Sequence, residues 1–81
     1  MSTLRLTLNG AAAEVPAGTT LRQIVAETTG RPVAADGTAE DGGRLGVAVA
    51  VDQQVVPRSA WDAMVPRDGA AVDLVTAVQG G

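Results

Sequence analysis

Over the first eight residues apolar and polar positions alternate, with Leu4, Leu6 and Leu8 on one side and Thr3, Arg5 and Thr7 on the other. A period of two is what a strand with one buried face requires, because successive side chains point to opposite faces. Asn9-Gly10 follows at once, a pair that tolerates positive φ at both positions and so suits a two-residue type I′ turn. The spacing predicts a second strand folding back antiparallel over 11–16, with Ala13 and Val15 inward and Glu14 outward.

After Ala17-Gly18 the period lengthens to that of a helix. Leu21, Ile24, Val25 and Thr28 share one face, while Arg22, Gln23 and Glu27 take the other. Thr20 with Gln23 three residues later fits a capping box, in which each side chain satisfies an orphan backbone donor of the first turn. Gly30 and Pro32 close the helix. From 29 to 46 the chain is mostly Gly, Ala, Asp, Thr and Pro, and this stretch is expected to be a long, mobile loop.

Val47 to Val51 is apolar at every position, as expected of a strand covered on one side by the helix and on the other by small-residue contacts or a partner. Asp52-Gln53-Gln54 turns the chain, Val55-Val56 makes a short strand, and Pro57 bars it from further pairing. Ser59 to Met64 suits one helical turn laying Trp61 over the edge of the core. Asp68-Gly69 is a further turn, after which 72–78 reads as the last strand with Asp73 as its exposed polar member. This order predicts an α+β domain over 1–78. Its mixed sheet has about five strands, one main helix crosses one face, and the first and last strands lie side by side and parallel. That is the ubiquitin-like β-grasp, here with a flexible Gly-Gly tail at 79–81.

Composition narrows the chemistry. The 81 residues include no His, Cys, Lys, Tyr or Phe, so the imidazole and thiol ligands of zinc, copper and iron–sulfur sites are missing. Histidine- and cysteine-based catalysis is excluded on the same ground. A net charge of −3 with six scattered arginines offers no basic stripe to displace phosphate counterions, which argues against nucleic acid. The N-terminal segment lacks a signal-peptide layout and no apolar run reaches membrane-span length, so a soluble cytoplasmic protein is expected, with no membrane association.

Three segments then point to one family. They are Val-Pro-Arg at Val56 to Arg58 with Trp61 three residues on, the turn Arg67-Asp68-Gly69, and the ending Thr76-Ala77-Val78-Gln79-Gly80-Gly81. Together they resemble the ThiS-type sulfur carriers of thiamin thiazole biosynthesis. The resemblance spans the whole fold and is densest from Val49 onward. The chain departs from the pattern in its long 29–46 loop, in Asp52-Gln53 where an Asn-Gly-like turn is usual, and in Ala70 where an acid is frequent.

The resemblance implies that Gly81 is the modified residue, with Gly80 and Gln79 recognised beside it. A terminal carboxylate is an anion at neutral pH and a poor electrophile. The family's route has a ThiF-type adenylyltransferase use ATP to make the acyl-adenylate; sulfur from a donating enzyme then displaces AMP, and a ThiG-type thiazole synthase takes the sulfur from the resulting thiocarboxylate. On this resemblance the chain itself is expected to bind no cofactor or metal and to be a protein cosubstrate rather than an enzyme. Glycines suit the end because residues without a Cβ pass narrow walls without steric penalty. From Val78 to Gly81 the extended reach is about 10–13 Å.

Docking also needs a surface, for which Val75, Val78 and Arg58 are the candidates, whereas Trp61 is expected to pack. Other readings stay open at this point. The small subunit of a molybdopterin synthase, a carrier for cysteine biosynthesis, and a ubiquitin-like modifier or binding module would each use a similar fold and end. With no cysteine and no lysine, the chain has no internal thiol to capture an activated acyl group and almost no site for isopeptide attachment to itself.

Overall fold

The computed structural model describes residues 3–40 and 46–76. Its first element, β1 (Thr3–Leu8), turns through Asn9 and Gly10, with φ of 52° and 83°, into β2 (Ala11–Pro16). Leu8 faces Ala11 and Leu4 faces Val15, the antiparallel register that a two-residue turn sets. Leu6 is buried, Ala13 and Val15 are half-buried on the same side, and Glu14 is exposed beside Arg5.

Helix α1 (Leu21–Thr29) carries the expected capping box. The Gln23 amide donates to the Thr20 hydroxyl at 3.2 Å and the Thr20 amide to the Gln23 side-chain oxygen at 2.9 Å. Gly30, at φ 71°, closes the helix in the left-handed conformation. Leu21, Ile24 and Val25 are buried, but Thr28, which the periodicity assigns to the same face, is exposed. Its hydroxyl donates to the Ile24 carbonyl at 2.7 Å, so it is satisfied against the preceding turn, and half-buried Ala26 packs on the core instead.

β3 (Val47–Val51) and β4 (Gln54–Val56) are joined by Asp52 and Gln53, both at positive φ (51° and 70°). The turn is therefore of the Asn-Gly type without either residue, and β4 begins at Gln54 rather than Val55. Val47, Val49 and Val51 are buried, whereas Ala48 is exposed and Ala50 half-buried. Of the two covers expected for the second face, small-residue contacts do not close it: among the described residues the alanine face lies open.

The chain then winds through a 3₁₀ turn (Arg58–Ala60), and successive bonds from Ala60, Trp61, Ala63 and Met64 to carbonyls three residues back carry it to Met64. Trp61 is not at the core's edge, as its position suggested, but fully buried. Its indole N–H donates to the Val56 carbonyl at 3.1 Å, which removes the cost of burying that donor. The carbonyls of Met64 and Trp61 accept the Leu21 and Arg22 amides at 2.9 and 3.2 Å, so this segment satisfies the open N-terminal turn of α1.

β5 (Ala71–Thr76) starts one residue before the predicted strand; the predicted end at Val78 lies outside the described residues. The five strands form one mixed sheet in the order β2-β1-β5-β3-β4, with β1 and β5 parallel and the other neighbours antiparallel. The inward residues of the sheet join those of α1 and Trp61 in one core, which is the ubiquitin-like β-grasp architecture. Asp73 is half-buried rather than exposed, opposite Ala50 on the face away from that core.

Over 30–40 the connection after α1 is irregular, as its composition predicts, yet it supplies two core residues. Val33 and Ala39 are buried and pair in an isolated antiparallel bridge. Ala34 accepts from Gly37, and its amide donates to Thr38, at 2.9 and 2.7 Å. The Arg22 side chain ties the segment to the helix, donating to the Val33 carbonyl at 2.6 Å and to Asp62 at 2.8 Å.

Candidate functional site

The functional expectations converge on β5, because the Gly-Gly end follows it in the chain. β5 is the central strand of the sheet, paired with β3 from Val51–Val72 to Val47–Thr76 and with β1 at Thr7–Ala71 and Leu8–Val72. Side chains prolong the short parallel ladder at both ends. Before it, the Asp68 carboxylate accepts the Arg5 amide at 2.8 Å; beyond it, the Asn9 side-chain oxygen accepts the Leu74 amide at 2.8 Å. Between them the Thr7 and Asn9 amides donate to Ala70 and Val72 at 3.0 and 2.9 Å.

Asp52 secures the start of β5 from the other side. Its amide donates to the Ala71 carbonyl at 2.8 Å, and its carboxylate accepts the Ala71 amide and the Arg67 guanidinium, each at 3.1 Å. The Ala71 amide, helped by Arg67, holds the Asp52 carboxyl below its usual range, since a bond to the charged form favours that form. Asn9, Asp52 and Asp68 read as turn residues in the sequence. Their second role depends on partners brought alongside by the sheet.

β4 and β5 are both antiparallel to β3 and so run in the same direction, which brings the Val56 and Thr76 ends to one end of the sheet. One strand separates them, a lateral distance of about 10 Å at the usual strand spacing. Arg58, two residues beyond Val56, is exposed at this end, and its side chain makes no hydrogen bond or ion pair with the described residues. Val75 lies on the open sheet face, 60% exposed and in register with Ala48. Of the predicted site residues, the fold therefore brings Val75 and Arg58 to the same end; Val78, Gln79, Gly80 and Gly81 lie outside the described residues.

Two neighbours of this end were not singled out by sequence reasoning. Val55 is 76% exposed on the open face opposite Ala50; the register that turns it outward follows from the two-residue turn at Asp52-Gln53. Gly37 is buried against Arg58, and its φ of 86° had no sequence signal beyond the Asp-Gly pair itself. Among the described residues no group of three or more acidic, His or Cys side chains is placed to hold a metal, and no helix is long and apolar enough to cross a membrane.

Comparison with known proteins adds three findings. The profile of the ThiS family matches residues 6–81. A crystal structure of the thiamine biosynthesis protein ThiS from Geobacter metallireducens is similar in fold, with a TM-score of 0.64 and 23% identity over 96% of this chain and 100% of that one. No curated protein matches the chain.

Proposed function

The chain belongs to the ThiS family, and from that premise we propose that it is a sulfur carrier of thiamine biosynthesis whose reactive group is the α-carboxylate of Gly81. The observation that carries this reading is the extent of the family match, which runs through Gln79-Gly80-Gly81 to residue 81. The folded domain then serves as a handle. Its central strand is held along both edges and at its start, so the body presents the residues after Thr76 from a fixed base.

The chemistry follows from the poor electrophilicity of a carboxylate. In the first step the Gly81 carboxylate oxygen attacks the α-phosphorus of ATP on a ThiF-type adenylyltransferase, forming the acyl-adenylate and releasing pyrophosphate. In the second, sulfur at the oxidation level of sulfide, delivered by a donating enzyme, attacks the carbonyl carbon. The carbon–oxygen bond to AMP breaks, AMP leaves with the electron pair, and a terminal thiocarboxylate remains. A ThiG-type thiazole synthase consumes that sulfur, and the regenerated carboxylate re-enters the cycle. The carrier is a cosubstrate of cytoplasmic enzymes. It binds no cofactor, and ATP is used by the activating partner.

Intact-mass measurement of the protein isolated from its own host tests this reading. The expected species is heavier by the replacement of one oxygen with sulfur, localised by fragmentation to Gly81. An end that is unmodified in thiamine-starved cells, or found conjugated to other proteins, overturns it.

A further inference from the structure

We propose that Arg58 is the charged anchor with which this chain docks on its activating enzyme, engaging a carboxylate there while Val55 and Val75 on the open sheet face meet apolar side chains of the same partner. The inference rests on the carrier reading above and adds to it the residue that recognises the partner.

The arginines differ in their pairing. Arg5 pairs with Glu14 at 3.2 Å, Arg67 with Asp52 at 3.1 Å, and Arg22 with Asp62 at 2.8 Å. Arg58 has no such partner among the described residues, in a chain whose acids outnumber its bases. The described acids close to it are committed elsewhere. Asp62, four residues on, holds Arg22. Asp36 adjoins Gly37, which packs directly on Arg58, yet its carboxylate accepts the Thr38 amide at 3.0 Å and the Thr38 hydroxyl at 2.6 Å. Among the described residues nothing takes up the donors of the Arg58 guanidinium.

Its backbone is also unusually well held for an exposed residue. Pro57 fixes the approach at φ −59°, and the Arg58 carbonyl accepts the Trp61 amide at 3.1 Å. The fully buried Trp61 ring anchors the turn from below through Val56. On the other side Gly37 lies so close that a β-carbon there would overlap the Arg58 β-carbon and sit 2.6 Å from its carbonyl oxygen. Little backbone freedom remains to be lost on binding, which is the condition under which one side chain contributes most. A planar guanidinium with parallel N–H groups is suited to a carboxylate, which it takes in bidentate fashion.

Arg58 lies at the end of the sheet toward which β5 runs, about two strand spacings to one side of it. Val75 with Ala48 and Val55 with Ala50 lie between and beside them on the open face. A partner that receives the residues after Thr76 must cover this end, so an acidic group on its surface meets Arg58 as the apolar strip is buried. This is the arrangement of an interface with an apolar centre and a charged rim.

The test is steady-state adenylation of the full-length chain by the ThiF-type enzyme of the same host, with ATP saturating and salt varied. Arg58→Ala is expected to raise the KM for the carrier about tenfold with kcat near the wild-type value, and to flatten the salt dependence of kcat/KM. Arg58→Lys recovers part of both. Gly37→Ala, which must displace the Arg58 backbone, raises KM in the same direction. An Arg58→Ala chain with unchanged KM and unchanged salt slope, or with a loss confined to kcat, overturns the proposal. If Arg58→Ala melts below the assay temperature, Arg58→Gln, which keeps the aliphatic stem, is judged by the same criteria. A wild-type chain that is not adenylated at all overturns the carrier reading itself, a result distinct from normal adenylation that ignores Arg58.

Discussion

The side-chain oxygen of Asn9 accepts the backbone N–H of Leu74 at 2.8 Å, across 65 residues of sequence. β1 turns away into the hairpin after Leu8, so its backbone offers no acceptor at this level of β5. One residue therefore makes the turn, at φ 52°, and continues the parallel ladder with its side chain. Replacing it separates the two roles. Asn9→Gly keeps the backbone conformation and loses the acceptor, and is expected to cost about 1–3 kcal/mol for the orphaned amide. Asn9→Ala adds the strain of positive φ and should be less stable than Asn9→Gly. Denaturant unfolding of both variants checks the order, and equal stability to wild type would show that water replaces the bond without cost.

Acid should weaken the fold through Asp52. Its carboxyl is held below the unfolded value of about 3.8 by the Ala71 amide, and that of Asp36 is lowered by the Thr38 hydroxyl and amide. A carboxyl with a depressed folded pKa adds stability that is fully present above the unfolded value and is lost as pH falls through the folded one. Stability is thus expected to decline below about pH 4. Asp52→Asn, which tolerates the same positive φ, should flatten that decline in a pH series of urea melts; an identical pH profile would assign it to other carboxyls.

Trp61 is the sole aromatic residue and is fully buried, so it reports on folding directly. Its emission is expected at short wavelength in the native state, shifting to the red on unfolding. Trp61→Phe removes both ring volume and the bond to Val56 and should cost about 1–3 kcal/mol, while Trp61→Ala should cost about 3–5 kcal/mol. In a domain of this size each kcal/mol lowers Tm by about 4–8 °C. A native spectrum typical of exposed indole would contradict the packing.

Changes at Gly81 should separate chemistry from stability. Deleting Gly81, or adding one residue after it, moves the reactive carboxylate and is expected to abolish adenylation. Tm should stay within about 2 °C of wild type, because the described core and the described ladders of β5 are built from residues up to Thr76 and do not draw on Gly81. Calorimetry beside a pyrophosphate-release assay makes the comparison; a variant that loses Tm and activity together would give the end a structural role.

Local signals in the sequence determined most of the framework. The alternation from Thr3 to Leu8, the Asn9-Gly10 turn, the Thr20–Gln23 cap and the Leu21-Ile24-Val25 face each depend on residues within a few positions of one another, and each appears where predicted. The Gln79-Gly80-Gly81 end, with Val56-Pro57-Arg58 and Trp61, likewise points to the family without reference to any tertiary contact. Tertiary structure decided what depended on distant partners. An alanine is neutral toward burial, so only the sheet shows that Ala48 lies open while its neighbours are covered. Val33 and Ala39 entered the core because the Arg22 side chain and the bridge between them draw an otherwise polar segment inward. Asn9, Asp52 and Asp68 became clamps on β5, and Gly37 a support for Arg58, only once strands remote in sequence lay side by side. Periodicity and turn chemistry are properties of neighbouring residues, whereas a hydrogen-bond partner 60 residues away exists only after the chain has closed on itself.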